Sequence, residues 1–151
     1  MSKESLLKEF CELVTIPVQS KDERVICDVL KAKLNEIGLS VYEDGTAEKV
    51  GGNTGNVLAM LKGTVDAPAV LFSSHMDRVK NPGKITPVID EEAGIIRSDG
   101  TSILAADDVS GIVAILDCLR AIKASGNDHG DIEVAFSVCE EIGVQGSKHM
   151  D

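Results

Sequence analysis

The sequence predicts an α/β domain, and three observations carry that reading. Apolar residues recur at helical spacing in three segments, and between them lie short apolar runs of strand length. Helical and strand patterns alternate along the chain. The 151 residues are 43% hydrophobic, enough for one real core and not obviously enough for two. No repeat, low-complexity tract or linker interrupts them.

The first helix is expected over residues 3–14, where Leu6, Leu7, Phe10, Leu13 and Val14 share a face. Pro17 closes it. "SKDE", residues 20–23, reads as a capping box in which Ser20 caps the next helix and Glu23 reaches back. That helix carries Val25, Ile26, Val29, Leu30, Leu34 and Ile37, and Gly38 stops it. "LSVYED" is a short strand. "KVGGNTGN" lacks the Lys-Ser or Lys-Thr that a phosphate-binding loop needs after its last glycine, so it reads as a turn. "NVLAMLKG" is the next strand. "APAVLFSSH" is almost continuously apolar, which predicts a central strand covered on both faces. "GKITPVIDEEAGIIRSDG" mixes short strands and turns at the surface. "DDVSGIVAILDCLRAIKASG" is a strong helix with a stripe of Ile112, Val113, Ile115, Leu116, Leu119 and Ile122. "DIEVAFSVCEE" supplies one more buried strand.

Lys and Arg total 15 against 25 Asp and Glu, a net charge of −10. Such a surface repels nucleic-acid phosphates and anionic lipid, so no nucleic-acid or membrane partner is expected. No apolar run is long enough to span a bilayer, and the charged opening "MSKESLLKEF" is no signal peptide. Cys11, Cys27, Cys118 and Cys139 form no Cys-x-x-Cys pair and read as reduced, buried thiols of a cytoplasmic protein.

Within "FSSHMDRV", residues 72–79, one of only three histidines follows an apolar strand and stands two places before Asp77. Two more polar clusters interrupt apolar segments: Asp107–Asp108 where "SILAA" gives way to a helix, and Glu140–Glu141 after "EVAFSVC". Ligands of open α/β sheets gather beyond the carboxyl ends of strands, and one fold could bring all three clusters to such an edge. Taken singly, His75 is most simply a buried, hydrogen-bonded histidine, Asp107 or Asp108 a helix cap, and Glu140–Glu141 the start of a loop. Taken together they make a cleft whose carboxylates repel one another unless a divalent cation joins them. Imidazole with carboxylate suits zinc, and a bridging carboxylate can hold two ions about 3.5 Å apart. Asp77 is placed to support the second ring nitrogen of His75.

"SSHMD", "SDGTSILAADD" and "VCEEIGVQGSKHMD" resemble the dizinc exopeptidase superfamily of aminoacylases, carboxypeptidase G and peptidase T, and most closely its peptidase T-like aminopeptidases. The resemblance runs from about the first helix to the last residue. Glutamyl aminopeptidases share the motifs, but there an extra domain separates the histidine from the Asp-Asp pair. Here only 31 residues lie between His75 and Asp107.

The resemblance implies the N-terminal portion of a catalytic domain over 1–151, a mixed sheet flanked by helices, without the family's inserted dimerisation and lid domain or its C-terminal remainder. It implies two zinc ions, with cobalt or manganese as alternatives. His75 would bind one ion, Glu141 the other, and Asp107 both. Glu140 would be the general base and Asp77 would orient His75. A cis peptide is implied between Asp107 and Asp108. The substrate would be a small peptide that loses its N-terminal residue, and the complete protein would be a homodimer. A deacylase of N-acyl amino acids or a carboxypeptidase could use the same core, and a non-catalytic binding module could keep the fold. Arg78 and Val109 depart from the family beside its ligands and are expected to alter activity or specificity. Only three of the family's five ligand positions are matched, so weak metal binding and negligible turnover are expected of residues 1–151 alone. His129 reads as a loop residue and His149 as part of a helix start, not as ligands.

Overall fold

The computed structural model describes residues 2–79 and 84–150. Gly83, which opens the stretch read as surface strands, and Asp151, which ends the last motif, lie outside them.

The elements run α1 (Lys3–Val14), α2 (Arg24–Ile37), β1 (Ser40–Glu43), α3 (Thr46–Val50), β2 (Val57–Leu61), β3 (Val70–His75), β4 (Pro87–Asp90), β5 (Ile95–Ser98), α4 (Ala106–Ser125), β6 (Ile132–Ser137) and α5 (Gln145–Lys148). The sheet has the order β1-β2-β6-β3. Its β1–β2 and β2–β6 pairs are antiparallel and its β6–β3 pair is parallel, so the sheet is mixed as expected. Strands β4 and β5 form a separate antiparallel hairpin.

The apolar stripes of the three long helices supply much of the core. Leu13, Val14, Ile26, Leu30, Leu34, Ile112, Leu116 and Leu119 are fully buried, together with Val57 and Phe136 from the sheet. Burying a side chain of this size contributes about 1.5–3 kcal/mol. Gly38 closes α2 in the left-handed conformation that spares glycine the Cβ clash, with φ at 95°. Glu9 joins three helices: its carboxylate takes a two-pronged ion pair from Arg120 of α4 at 2.7 and 2.8 Å and a third contact from Lys33 of α2 at 3.1 Å.

Three sequence expectations change. Among the described residues strand β3 lies at the edge of the sheet, and β2 and β6 take the inner places. Val70 and Leu71 are 49% and 58% exposed, so the apolar run is not covered on both faces among the described residues. An apolar run signals a tendency to be covered but does not say which neighbour covers it. "SKDE" is not a capping box. The amides of Glu23 and Arg24 both donate to Asn53 Oδ1 at 3.0 Å, so a side chain 30 residues away caps α2 and frees Ser20 and Glu23 for other partners. The cysteines are all free, but only Cys27 and Cys139 are buried; Cys11 and Cys118 are half-exposed.

Candidate metal centre

The register of the sheet builds the site. Strands β3 and β6 run parallel with His75 opposite Ser137, so both leave the sheet at the same level. Met76 continues the ladder by donating its amide to the Ser137 carbonyl at 2.8 Å. Whatever follows β3 therefore lies beside whatever follows β6, and these are the segments bearing Asp77 and Glu140–Glu141.

The start of α4 closes the third side. Asp107 and Asp108 have non-helical backbone angles, and the peptide between them is cis. Asp108 turns away from the cleft. Its carboxylate accepts Ser74 Oγ at 2.7 Å and the Gly111 amide at 3.1 Å, the second being the contact of a helix cap. A Cβ at Gly111 would meet the Asp108 carboxylate at 2.6 Å, so glycine leaves it room to hold these two donors. With Asp108 so held, Asp107 projects its carboxylate outward, 84% exposed.

The structure brings His75, Asp107 and Glu141 together, each with a ligand-type atom within 4.8 Å of the others. His75 Nε2 lies 3.0 Å from Asp107 Oδ1 and 3.9 Å from Glu140 Oε2. Its Nδ1 lies 3.0 Å from the Asp77 carbonyl. A carbonyl only accepts, so Nδ1 carries a proton and Nε2 is the nitrogen turned to the carboxylates. The His75 ring is nearly buried. Burial disfavours its charge, but Asp77 and Asp107 outweigh burial and bring its pKa up to about 9. Burial raises the pKa of Glu141 above the ordinary carboxylate range. The crowding charges of Asp107, Asp77 and Glu140 raise it further, against His75.

Asp77 is wholly buried and organises both strand ends. Its Oδ1 accepts the Glu140 amide at 2.8 Å. Its Oδ2 accepts the Glu141 amide at 3.2 Å and Ser20 Oγ at 2.6 Å. Burial opposes its ionisation, yet these donors and His75 hold its carboxyl below the usual range.

The donor set fits a divalent cation. One imidazole nitrogen of fixed tautomer and two converging carboxylates are the ligand types that zinc takes, and a cation would relieve the crowding of negative charge. Arg78 and Val109 do not line this cleft. Arg78 is 1% exposed and runs beneath the C-terminus of α1, donating to the carbonyls of Leu13, Val14 and Ile16 at 2.7–2.9 Å. Val109 is 2% exposed in the core. Both side chains are buried away from the cleft, so the expected effect of these two on specificity loses its geometric basis. His129 lies in a loop with Nδ1 against its neighbour's carbonyl, and His149 follows α5.

Sequence reasoning missed Ser74 as a partner of Asp108, Asn53 as a cap, and Ser20 and Glu23 as residues that reach the strand ends. The Ser20-x-x-Glu23 spacing was a signal, but it reads locally and these contacts are long-range.

The sequence pattern of peptidase family M28 matches residues 56–151. An aminopeptidase PepT from Bacillus cereus superposes on the whole chain with a TM-score of 0.94 at 39% identity, and a tripeptidase from Staphylococcus aureus does so with a TM-score of 0.94 at 35%. Peptidase T of Salmonella newport is 30% identical over 98% of the chain. The chain spans 40% of the length of each of those two structures and 44% of that peptidase T. With its fold matched along its whole length and its motifs gathered at one edge of the sheet, the chain belongs to peptidase family M28 and resembles the N-terminal part of peptidase T.

Proposed function

We propose that this chain supplies part of the metal centre of a metal-dependent aminopeptidase that removes the N-terminal residue of small peptides in the cytoplasm. The observation that carries the proposal is the convergence of His75, Asp107 and Glu141 within 4.8 Å beside the carboxylate of Glu140. The similarity to an aminopeptidase and a tripeptidase supports the choice of substrate.

His75 Nε2, Asp107 and Glu141 would hold the metal, and Asp107 would serve both ions of a pair; zinc fits the donors, and cobalt or manganese would also be accepted. When bound, the metal supplies a water of lowered pKa and a Lewis acid for the scissile carbonyl. Glu140 is the general base. It takes a proton from the attacking water and returns it to the leaving amine, which needs a carboxylate beside the ligands that is not itself consumed by the metal. Asp77 fixes the Nδ1–H tautomer of His75 and the backbone that carries Glu140.

Three donors with one shared give each of two ions two protein ligands, where a catalytic zinc has three. Residues 1–151 by themselves therefore bind metal weakly and turn peptide over negligibly. Tripeptide hydrolysis is accordingly measured on the protein as its native source makes it, with Glu140→Gln as the variant. Loss of turnover by about 10²-fold or more with metal retained is the expected result. Unchanged turnover would remove Glu140 as the base. Hydrolysis of N-acyl amino acids, or of C-terminal residues, in preference to tripeptides would favour the deacylase or carboxypeptidase reading. Homodimerisation of the complete protein is part of the same proposal.

A further inference from the structure

The motif first read as a helix cap has no role in the chemistry above, yet both of its ends reach the candidate metal centre. Ser20 Oγ donates to Asp77 at 2.6 Å, and the Ser20 amide donates to the Arg78 carbonyl at 3.3 Å. The Glu23 side chain makes no capping hydrogen bond to its own helix start. It is 0% exposed, and its Oε1 accepts the Cys139 amide at 3.0 Å.

The segment after β6 is held amide by amide. Val138 donates to Asn56 Oδ1 at 3.0 Å, Cys139 to Glu23 Oε1 at 3.0 Å, and Glu140 and Glu141 to the two carboxylate oxygens of Asp77 at 2.8 and 3.2 Å. Four successive amides thus end on three side chains. Cys139 is the residue where the chain turns, in the left-handed region with φ at 54°. A residue with a Cβ stays there only when its surroundings hold it. Its amide is the one held by Glu23, and the Cys139 thiol lies 3.5 Å from the same oxygen.

We infer that Glu23 is a positioning residue for the metal centre: by holding the Cys139 amide next to the two amides held by Asp77, it fixes the turn that aims Glu140 and Glu141. The inference rests on the metal-site reading above. Glu23 touches neither metal nor substrate and acts through the backbone. Oε2 makes no hydrogen bond among the described residues, and burial, the largest influence, pushes the carboxyl above its usual range. Only an acceptor oxygen at the Oε1 position is needed, and a glutamine amide provides one.

Glu23→Ala and Glu23→Gln are compared with the unaltered chain by two readouts. One is the affinity for cobalt(II) and its visible absorption bands. The other is amide hydrogen exchange at Cys139, Glu140 and Glu141 without metal. In Glu23→Ala cobalt affinity is expected to fall about tenfold or more with altered bands, and exchange at the three amides to accelerate. In Glu23→Gln both return to within about twofold of the unaltered chain, a rescue that simple loss of packing would not show. Where Glu23→Ala does not fold, Glu23→Asp carries the same expectations, because it keeps the charge but withdraws the oxygen by one methylene. Unchanged affinity and exchange in Glu23→Ala, or equal losses in the alanine and glutamine variants, would overturn the inference. Failure of the protein as its native source makes it to take up cobalt would sink the metal reading, and the exchange measurement would still decide whether Glu23 holds the turn.

Discussion

At the scale of single residues, Asp77 has the most partners in the site, joining His75, Ser20 and the amides of Glu140 and Glu141. Asp77→Asn keeps the shape but removes the charge and turns an amide NH2 toward donors. The His75 pKa of about 9 is then expected to fall toward the ordinary 6.5, because the charged ring loses its buried counter-charge. A proton-NMR titration of the ring measures this, and an unmoved pKa would contradict the assignment. Buried donors left unpaired would cost about 1–3 kcal/mol of stability. Arg78 makes a contrasting case. Arg78→Ala removes the guanidinium from three carbonyls around the end of α1, of which Leu13 keeps the Ile16 amide, and should cost about 2–3 kcal/mol in denaturant unfolding while leaving cobalt affinity unchanged. A specificity residue would show the reverse.

At the scale of elements, charge ties the helices to each other and to the sheet. Glu43 at the end of β1 takes Arg24 at 2.6 Å and Lys31 at 3.0 Å, both from α2. Arg24, the largest influence, holds the Glu43 carboxyl well below its usual range, assisted by the Gly55 amide and opposed by burial. The folded pKa is depressed, so this stabilisation is fully present above the unfolded value of about 4.3 and is lost as pH falls through the folded one. Thermal unfolding of Glu43→Gln should accordingly show a lower midpoint at pH 7 and a shallower decline below pH 4 than the unaltered chain; parallel acid limbs would show that Glu43 contributes nothing to this linkage. The elements were also the most legible part of the sequence. The stripe ending in Leu34 and Ile37 with Gly38 behind it specifies α2 and its stop, since period and stop signal are local. The start of α2 was not legible, because its cap comes from Asn53 rather than from the adjacent Ser20. The place of β3 was not legible either, because an apolar run does not name its neighbour.

At the scale of the molecule, the two faces of the site come from segments far apart in sequence that meet only because β3 and β6 pair in parallel. Sequence alone could collect His75, Asp107, Glu140 and Glu141, since each interrupts an apolar segment with a charge. The pattern of charges could not separate Asp107, which faces the cleft, from Asp108, which is tied to Ser74 and Gly111; only the resemblance chose between them. That difference depends on backbone angles at the start of α4. The exposed end of β3 has a consequence in solution as well: an apolar strand edge recruits other strands. Sedimentation of the 151-residue chain should show association that rises with concentration and is reduced by Leu71→Lys; concentration-independent behaviour of the unaltered chain would contradict this.

The central claim, that the cleft beside β3 and β6 binds a divalent metal through Nε2 of His75, is tested most directly by zinc titration followed through the ring nitrogens. The chain has three histidines, so each can be observed separately in nitrogen-15 spectra. The account predicts that zinc displaces the proton from His75 Nε2 and moves that resonance alone, and that Glu141→Ala weakens the effect about tenfold or more. Movement of His129 or His149 instead, or a His75 signal that ignores millimolar zinc, would contradict it.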